Sequence, residues 1–200
     1  MLLALDTSSD YVSLALFDDS KLLTQIHQSM SSGQAEKLFP LLQELLKAAK
    51  ATPKDISSVA VAIGPGSFTG VRIGLSTARA FALALNIPVI GITNFDAAIY
   101  GIKQPITVAL DTKRGDFFVQ TFDQDAHALS KPTIQTTEQL AKNTPFFVTG
   151  SGALQLSKSI NCTYIPFMSP AVAIGYTALT RPDLHYLANP LYLRDANVTI

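Results

Sequence analysis

A glycine-rich segment, GPGSFTGVRIG (Gly64 to Gly74), follows an apolar run and precedes a long alanine- and leucine-rich stretch. A glycine-rich turn between a strand and a helix often binds phosphate through backbone N–H groups. The spacing here fits neither of two common phosphate sites. A P-loop requires Gly, four residues and then Gly-Lys-Ser/Thr, and no lysine follows Thr69. A dinucleotide fingerprint requires Gly-x-Gly-x-x-Gly, and the third glycine, Gly70, comes one place late.

Two interpretations of this loop remain open. In one, backbone N–H groups between Gly66 and Thr69 attract an anion, and the carboxylate of Asp6 faces the loop and holds a metal ion or a water. In the other, Thr69 or Ser67 caps the following helix and Asp6 caps its own turn. On the first interpretation the candidate nucleotide-binding residues are Asp6, Thr7, Ser8, Gly64 and Gly66.

The other reactive residue types form no catalytic or metal-binding pattern. The three histidines, His27, His127 and His185, lie far apart, and none has a second His or Cys at ligand spacing. Cys162 is the only cysteine, so we expect a small buried apolar residue and no disulfide. Neither Gly-x-Ser-x-Gly nor His-Glu-x-x-His occurs. The sequence therefore predicts no catalytic residue and no metal ligand.

The low content of charged residues leaves two interpretations of the surface open. Charged residues make up 15% of the chain, against about a quarter in a typical protein. Such a surface is either partly covered by another protein or filled by small polar residues. The formal net charge of zero argues against a broad basic face that binds nucleic acid unaided. Because no signal-peptide pattern and no membrane-length apolar run is seen, we expect a soluble cytoplasmic protein without membrane contact.

The elements that would position the glycine loop follow from hydrophobic patterning. Three strand-like segments come first and suggest an antiparallel meander: LLALDTS, YVSLALFD and KLLTQIHQ. An amphipathic helix is predicted over Gln34–Lys50 and a second helix over Thr69–Leu85. Apolar strands precede and follow the second helix, ISSVAVAIG and IPVIGI, and a short helix begins near Asn94. The predicted order is β-β-β-α-β-α-β-α.

The second half of the chain echoes the first. The segment LALDTSSDYV in the first half resembles VALDTKRGDFFV in the second. In the same order, VAIGPGS in the first half resembles FVTGSGA in the second. Two such pairs indicate a duplication. We predict an α/β fold with a first half over residues 1–104 and a second, reduced half over residues 105–200.

Small residues recur every four positions in the second helix, at Gly70, Gly74 and Ala78. Glycine in a helix interior costs about 1 kcal/mol relative to alanine, so a close approach of another element must compensate. That element is either part of the same chain or another subunit, which would also contact the Gln34–Lys50 helix. On the second view Arg72 and Arg79 are rim or ion-pair residues; otherwise they are merely solvated. The predicted interface residues are Leu38, Leu42, Leu45, Gly70, Arg72, Gly74, Ala78 and Arg79.

Four segments together resemble the bacterial TsaB (YeaZ) family across nearly the whole chain. They are LALDTSSDYVSLAL, GPGSFTGVRIGLSTARAFALALNIPVIG, ALDTKRGDFFVQTF and NPLYLRD. The resemblance implies duplicated halves of the actin/Hsp70/sugar-kinase-like ATPase superfamily (ASKHA), with ribonuclease-H-like topology. It also implies a role in making threonylcarbamoyladenosine on tRNA. In that role the family pairs with its catalytic paralogue TsaD, or with itself when TsaD is absent, the ATPase TsaE joins them, and tRNA is met only through the complex.

This sequence departs from the catalytic paralogue where chemistry would occur. That paralogue carries His-x-x-x-His after its fifth strand, but here Asn94 and Ala98 stand at those places. Thr7 replaces the glycine of the superfamily's first phosphate hairpin, and Lys113 and Arg114 are bulky in the second. The resemblance therefore implies a scaffold subunit with no intrinsic cofactor, for which ATP binding is doubtful. The alternatives are a weak ATPase or nucleotide-binding module and, following an old family label, a peptidase, which has no nucleophile or metal set here.

Overall fold

The computed structural model describes residues 1–143 and 145–194, which form two compact units. The first unit comprises Met1–Ala97 and Ser169–Tyr192, and the second Ala98–Met168 and the residues from Leu193 onward. The division at residue 104/105 came from the sequence repeat and stays a prediction. By packing, residues 169–192 belong with the first unit. Residues 144 and 195–200 of the predicted second half lie outside the described residues.

The first unit is built on a five-stranded sheet in the order β3-β2-β1-β4-β5. Its strands are β1 (Leu2–Asp6), β2 (Tyr11–Asp18), β3 (Lys21–Ser29), β4 (Ser58–Ala62) and β5 (Val89–Ile92). Its helices are α1 (Gln34–Ala48), α2 (Phe68–Leu85), most of α3 (Asn94–Ala98), and α6 (Pro170–Thr180). The first three strands are antiparallel neighbours, whereas β4 pairs in parallel with β1 and β5. The predicted meander, helices and parallel strand are confirmed.

Both faces of the first sheet are covered, which explains its nearly continuous apolar strands. Side chains alternate between faces along a strand. Leu14 and its neighbours of the same parity pack with leucines of α1 and with Val71, Leu75 and Ala78 of α2. On the other face α6 covers the sheet, where Gly175 lies against the ring of Phe17 and Ala171 N donates to Ser13 Oγ at 3.1 Å.

The second unit repeats the topology on a smaller scale. Its strands are β6 (Ile106–Asp111), β7 (Asp116–Phe122), β8 (Thr133–Thr136), β9 (Phe147–Thr149) and β10 (Thr163–Tyr164), in the order β10-β9-β6-β7-β8. Its helices are α4 (Thr137–Lys142) and α5 (Ala153–Ser159). Read from β8 to β10, this is the strand order of the first sheet. The predicted reduction is confirmed, because α4 and α5 have 6 and 7 residues where α1 and α2 have 15 and 18.

The described helices differ from those that cross a bilayer, which need about 20 predominantly apolar residues. Within the described ranges, none combines the length and the apolar composition that a membrane crossing requires.

Candidate functional site

The glycine loop between β4 and α2 is filled by the turn that follows β1. A Cβ added at Gly66 would overlap the carbonyl oxygen of Ser8, and one added at Gly70 would overlap that of Thr7. The loop is tied to the turn through Ser67 N, which donates to Ser8 O at 2.7 Å. The glycines therefore permit a close approach of the chain's own backbone. Ser67, one of the two predicted caps, accepts from Gly70 N at 3.3 Å.

The polar side chains of this turn are satisfied within the chain. Asp6 is 1% exposed and accepts hydrogen bonds from Ser8 N at 2.7 Å and from the Tyr11 hydroxyl at 2.8 Å. Burial raises the pKa of the Asp6 carboxyl, although the hydrogen bonds from Ser8 and Tyr11 act to lower it. Thr7 Oγ1 donates to Gly70 O at 2.7 Å.

Asn94, at the start of α3, completes the same network. Its Nδ2 donates to Ser8 Oγ at 2.6 Å and to Pro65 O at 2.9 Å, and its backbone N donates to Gly64 O at 2.8 Å. The structure thus brings together all five candidate nucleotide-binding residues, Asp6, Thr7, Ser8, Gly64 and Gly66. It does so through contacts that they make with one another and with Asn94, so the side chains of Asp6, Thr7 and Ser8 are already engaged.

The predicted interface residues require a correction. The ridge of Gly70, Gly74 and Ala78 faces the sheet of its own chain, where a Cβ at Gly74 would lie 2.9 Å from Thr7 Oγ1. The leucines predicted at the interface are 0–2% exposed in the same core; they are Leu38, Leu42 and Leu45. The compensation expected for helix glycines therefore comes from packing within the chain, because the turn after β1 needs that space.

The outward sides of the same two helices form a shallow groove of about 450 Å³. Its lining is apolar and small polar apart from one arginine: Ala35, Leu38, Phe39, Phe68, Thr69, Arg72, Ile73, Ser76 and Thr77. Phe39, at the groove, is 56% exposed, which is unusual for a phenylalanine on a helix that also supplies five core leucines. Exposed apolar patches of this kind mark sites where other molecules bind.

A segment that sequence reasoning missed borders this groove. Residues Tyr186–Tyr192, here called the strap, run along β5 and the end of β4. Tyr186 pairs with Gly91 through two backbone hydrogen bonds of 2.9 and 3.0 Å, and Leu191 N donates to Ile63 O at 2.7 Å. A Cβ at Gly91 would lie 2.8 Å from Leu187 O. Glycine at the end of a strand was the available indication of a close backbone approach.

The two predicted rim arginines contact the strap. Arg72 Nε donates to the Tyr192 hydroxyl at 3.0 Å, and its guanidinium carbon lies 3.7 Å from the centre of the Phe68 ring. Arg79 Nη2 donates to Ala188 O at 2.5 Å and to Asn189 Oδ1 at 3.2 Å. Both arginines are exposed, and they are the only accessible side chains among the eight predicted interface residues. The buried Leu38 also contributes to the lining of the groove.

The remaining reactive residues lie apart from the groove. His27 stacks on Tyr11, His127 pairs with Asp123 at 3.3 Å, and His185 contacts the carbonyl oxygen of Ala178. Cys162 is partly buried beside the second core, where burial raises the pKa of its thiol. In the part of the chain that the structure describes, no three His, Cys, Asp or Glu side chains come together as metal ligands.

The charged turn of the second unit is held by ion pairs. Lys113 Nζ lies 3.2 Å from Asp111 Oδ2, and Arg194 pairs with Asp116. Burial acts to raise the pKa of Asp116, but hydrogen bonds from Thr112 and Arg194 leave it below the ordinary value. The exposed Arg114 shares this turn.

Comparison with known proteins places these features in a family. The family model for TsaD, tRNA N6-adenosine threonylcarbamoyltransferase, matches residues 27–180. The tRNA threonylcarbamoyladenosine biosynthesis protein TsaB of Buchnera aphidicola is 32% identical over 59% of this chain and 58% of its own length. The Escherichia coli protein of the same name is 27% identical over 64% of this chain and 57% of its own length. These matches span less than two thirds of each relative.

Solved structures show the same fold. YeaZ from Pseudomonas aeruginosa superposes with a TM-score of 0.77 at 22% identity, covering 96% of this chain and 99% of that one. The activator of 2-hydroxyisocaproyl-CoA dehydratase from Clostridium difficile, solved with bound ADPNP, gives a TM-score of 0.57 at 11% identity, covering 91% and 95%. The predicted duplicated actin-like α/β fold is confirmed.

Proposed function

This chain belongs to the TsaD family, in its TsaB (YeaZ) branch, and we propose that it is a non-catalytic scaffold subunit in tRNA threonylcarbamoyladenosine synthesis. In this role it pairs with the catalytic subunit TsaD and helps to recruit TsaE. The observation that carries the proposal is the exposed groove between α1 and α2, on helices whose inward sides pack in the chain's own core.

The groove suits a partner subunit better than a small polar substrate. Its lining offers exposed apolar surface around Phe39 and Ile73, with Arg72 as its one charged residue. The centre of a protein interface is typically poor in charge, with arginine and aromatic residues enriched. The proposed occupant is therefore an apolar surface of TsaD, and two copies of this chain would pair through the same face when TsaD is absent.

The residues that could do chemistry support a scaffold role. Asn94, which stands at a histidine position of the catalytic paralogue, donates its amide to Ser8 and Pro65. The turn at Asp6–Ser8 fills the glycine loop with its own backbone. We therefore expect neither a metal nor ATP to be bound there with high affinity. With equal numbers of basic and acidic residues in the chain, tRNA contact would come through the partner.

Reconstitution with purified subunits tests this proposal. TsaD and TsaE of the same organism are assayed for tRNA modification with and without this chain. The expected result is that modification requires the chain and that the chain forms a stable complex with TsaD in gel filtration. Calorimetry with Mg-ATP on the isolated chain tests the weak-ATPase alternative. Tight, magnesium-dependent binding together with hydrolysis would replace the scaffold role by an enzymatic one.

A further inference from the structure

We propose that the strap is a working part of the docking surface, because it holds Arg72 and Arg79 in place for two carboxylates of the partner. This inference rests on the proposed pairing with TsaD and specifies its chemistry. The partner's surface would present an apolar patch flanked by two acidic side chains.

Arg72 is restrained from two sides. Its guanidinium carbon lies over the Phe68 ring, 3.7 Å from its centre, and the Phe68 and Tyr192 rings are themselves in contact at 4.9 Å between centroids. Its Nε donates a hydrogen bond to the Tyr192 hydroxyl. A guanidinium has five N–H donors, so the Nη atoms keep donors for a carboxylate after this bond is made.

Arg79 is restrained in a similar way by the middle of the strap. Its Nη2 is shared between the backbone oxygen of Ala188 and the side-chain oxygen of Asn189. Both acceptors are neutral, so the positive charge of Arg79 is oriented without being compensated. A neutral acceptor fixes a side chain while leaving its full charge available for an incoming anion.

The two arginines form a matched pair on the outer face of α2. They are seven residues apart, which places them on one side of the helix about 10 Å apart. Within residues 1–143 and 145–194, neither of them makes an ion pair with a carboxylate. Two other arginines, Arg181 and Arg194, each pair with an aspartate. Arg72 also lines the groove, which has no acidic residue in its lining. Charge complementarity therefore points to carboxylates supplied by the partner.

Holding the arginines in advance would strengthen binding. An exposed arginine loses side-chain entropy when an interface immobilises it, at a cost of about 0.5–1.5 kcal/mol. A side chain already fixed by the strap avoids most of that loss. If the arginines served only to anchor the strap, removing the strap contact would change the chain's stability and leave affinity for TsaD unchanged.

A double-mutant cycle on the full chain separates these roles. Tyr192→Phe keeps the ring on Phe68 but removes the acceptor of Arg72 Nε. Arg72→Ala removes the charge, and the double variant closes the cycle. Tyr164→Phe on β10 of the second unit is the matched control for loss of a hydroxyl. Dissociation constants for TsaD are measured by calorimetry at low and at physiological salt, and the fold of each variant is checked by thermal unfolding.

The expected results are specific to positioning. When Arg72 is present, Tyr192→Phe should weaken TsaD binding roughly three- to tenfold. In a chain that already carries Arg72→Ala, the same substitution should have no further effect on binding. Arg72→Ala and Arg79→Ala should each reduce the salt dependence of binding, since screened ion pairs are lost. Asn189→Ala, which removes one acceptor of Arg79, provides a second test if Tyr192→Phe is unstable.

Four outcomes would overturn the inference. Tyr192→Phe and Asn189→Ala could bind TsaD as tightly as the natural chain, which would leave the proposed pairing intact and remove the strap from it. The two changes in the cycle could be additive, or the arginine variants could weaken only self-association. If the natural chain does not bind TsaD at all, the proposed function fails first, and the strap inference fails with it.

Discussion

Thr7 Oγ1 donates a 2.7 Å hydrogen bond to the carbonyl oxygen of Gly70, and the Thr7 carbonyl group occupies the space where a Cβ of Gly70 would lie. The turn after the first strand and the first turn of α2 are thus joined by backbone contact across 63 residues of sequence. The side chain of Thr7 thus caps this junction. The contact explains why a helix of the core tolerates two glycines.

Replacement of Gly70 by alanine should therefore destabilise the chain. The new methyl group would press against backbone atoms of Thr7, which cannot move without disturbing β1. We expect a loss of about 2–3 kcal/mol in the free energy of unfolding, in the upper range for overpacking. Urea denaturation followed by circular dichroism measures it.

Ser76→Ala, on the exposed side of the same helix, is the matched control and should change stability by less than about 0.5 kcal/mol. Equal stability of Gly70→Ala and the natural chain would contradict the close approach. A Cβ at Gly74 would lie 2.9 Å from the Thr7 hydroxyl and 3.3 Å from the Leu5 side chain, so a bulky residue there would disturb folding before it affected any interface.

Hydrophobic periodicity was sufficient to predict α1, α2 and the strand between them. It could not say which side of α2 meets the sheet, because Gly70, Gly74 and Ala78 suit a neighbouring strand as well as another subunit. The side of α2 that meets the sheet is determined by its contacts with Thr7 and Ser8. These two residues are distant in sequence and approach Gly70 through their backbone. Backbone contacts leave no side-chain pattern for sequence reasoning to find.

The strap was unpredictable for a related reason. Its hydrogen bonds to Gly91 and Ile63 run from backbone to backbone, so they depend on chain position more than on residue type. Arg72 and Arg79 were predicted to be rim or ion-pair residues or merely solvated, and both are exposed in the structure. Charged side chains rarely enter a core unpaired. The contacts of the two arginines with Tyr192 and Asn189 could be seen only in the three-dimensional structure.

Phe39→Glu tests the groove directly. The ring is more than half exposed, so its loss should leave the chain folded, whereas a carboxylate buried against an apolar partner is costly. We expect the dissociation constant for TsaD to rise about a hundredfold or more, as for a central interface residue. Gel filtration and calorimetry give the result.

Phe146→Glu is the matched control for this change, since Phe146 lies in the second unit and is 74% exposed. It should leave the affinity for TsaD unchanged. If Phe39→Glu pairs normally with TsaD while folded, the groove is not the docking surface.

Asp6 should make stability depend on pH in an unusual direction. Burial raises the pKa of its carboxyl above the ordinary 3.8 in the folded chain, even though hydrogen bonds from Ser8 and Tyr11 lower it. As pH rises from the ordinary pKa of an aspartate to the higher pKa of Asp6 in the folded chain, the unfolded chain releases the Asp6 proton first. The contribution of Asp6 to the free energy of unfolding therefore falls over this pH range. Asp6→Asn cannot ionise, and relative to the natural chain it should be more favourable at pH 7 than at pH 4.

Asp55 provides the opposite case in the same experiment. Backbone and side-chain hydrogen bonds from Thr52 lower the pKa of Asp55, so its contribution is present at neutral pH and is lost as pH falls through the folded value. Asp55→Asn should therefore be more destabilising at pH 7 than at pH 3. Urea denaturation across this range measures both variants. A pH-independent difference between Asp6→Asn and the natural chain would contradict the buried-carboxyl argument.

Gly91→Ala should loosen the strap without unfolding the sheet. The added methyl group would lie 2.7 Å from the Ile63 side chain, 2.8 Å from Leu187 O and 3.1 Å from Tyr186 O. The last two are backbone atoms of the strap, so we expect the strap to shift outward as the Ile63 side chain adjusts. Hydrogen exchange should then become roughly five- to thirtyfold faster at Tyr186 N and Leu191 N, which correspond to a local loss of about 1–2 kcal/mol. Amides that join β1 to β2, such as those pairing Ala4 with Ala15, serve as internal controls and should exchange as before.

Since the strap holds Arg72 and Arg79, the same variant should also bind TsaD more weakly. Unchanged exchange at both strap amides would mean that Gly91 does not secure the strap.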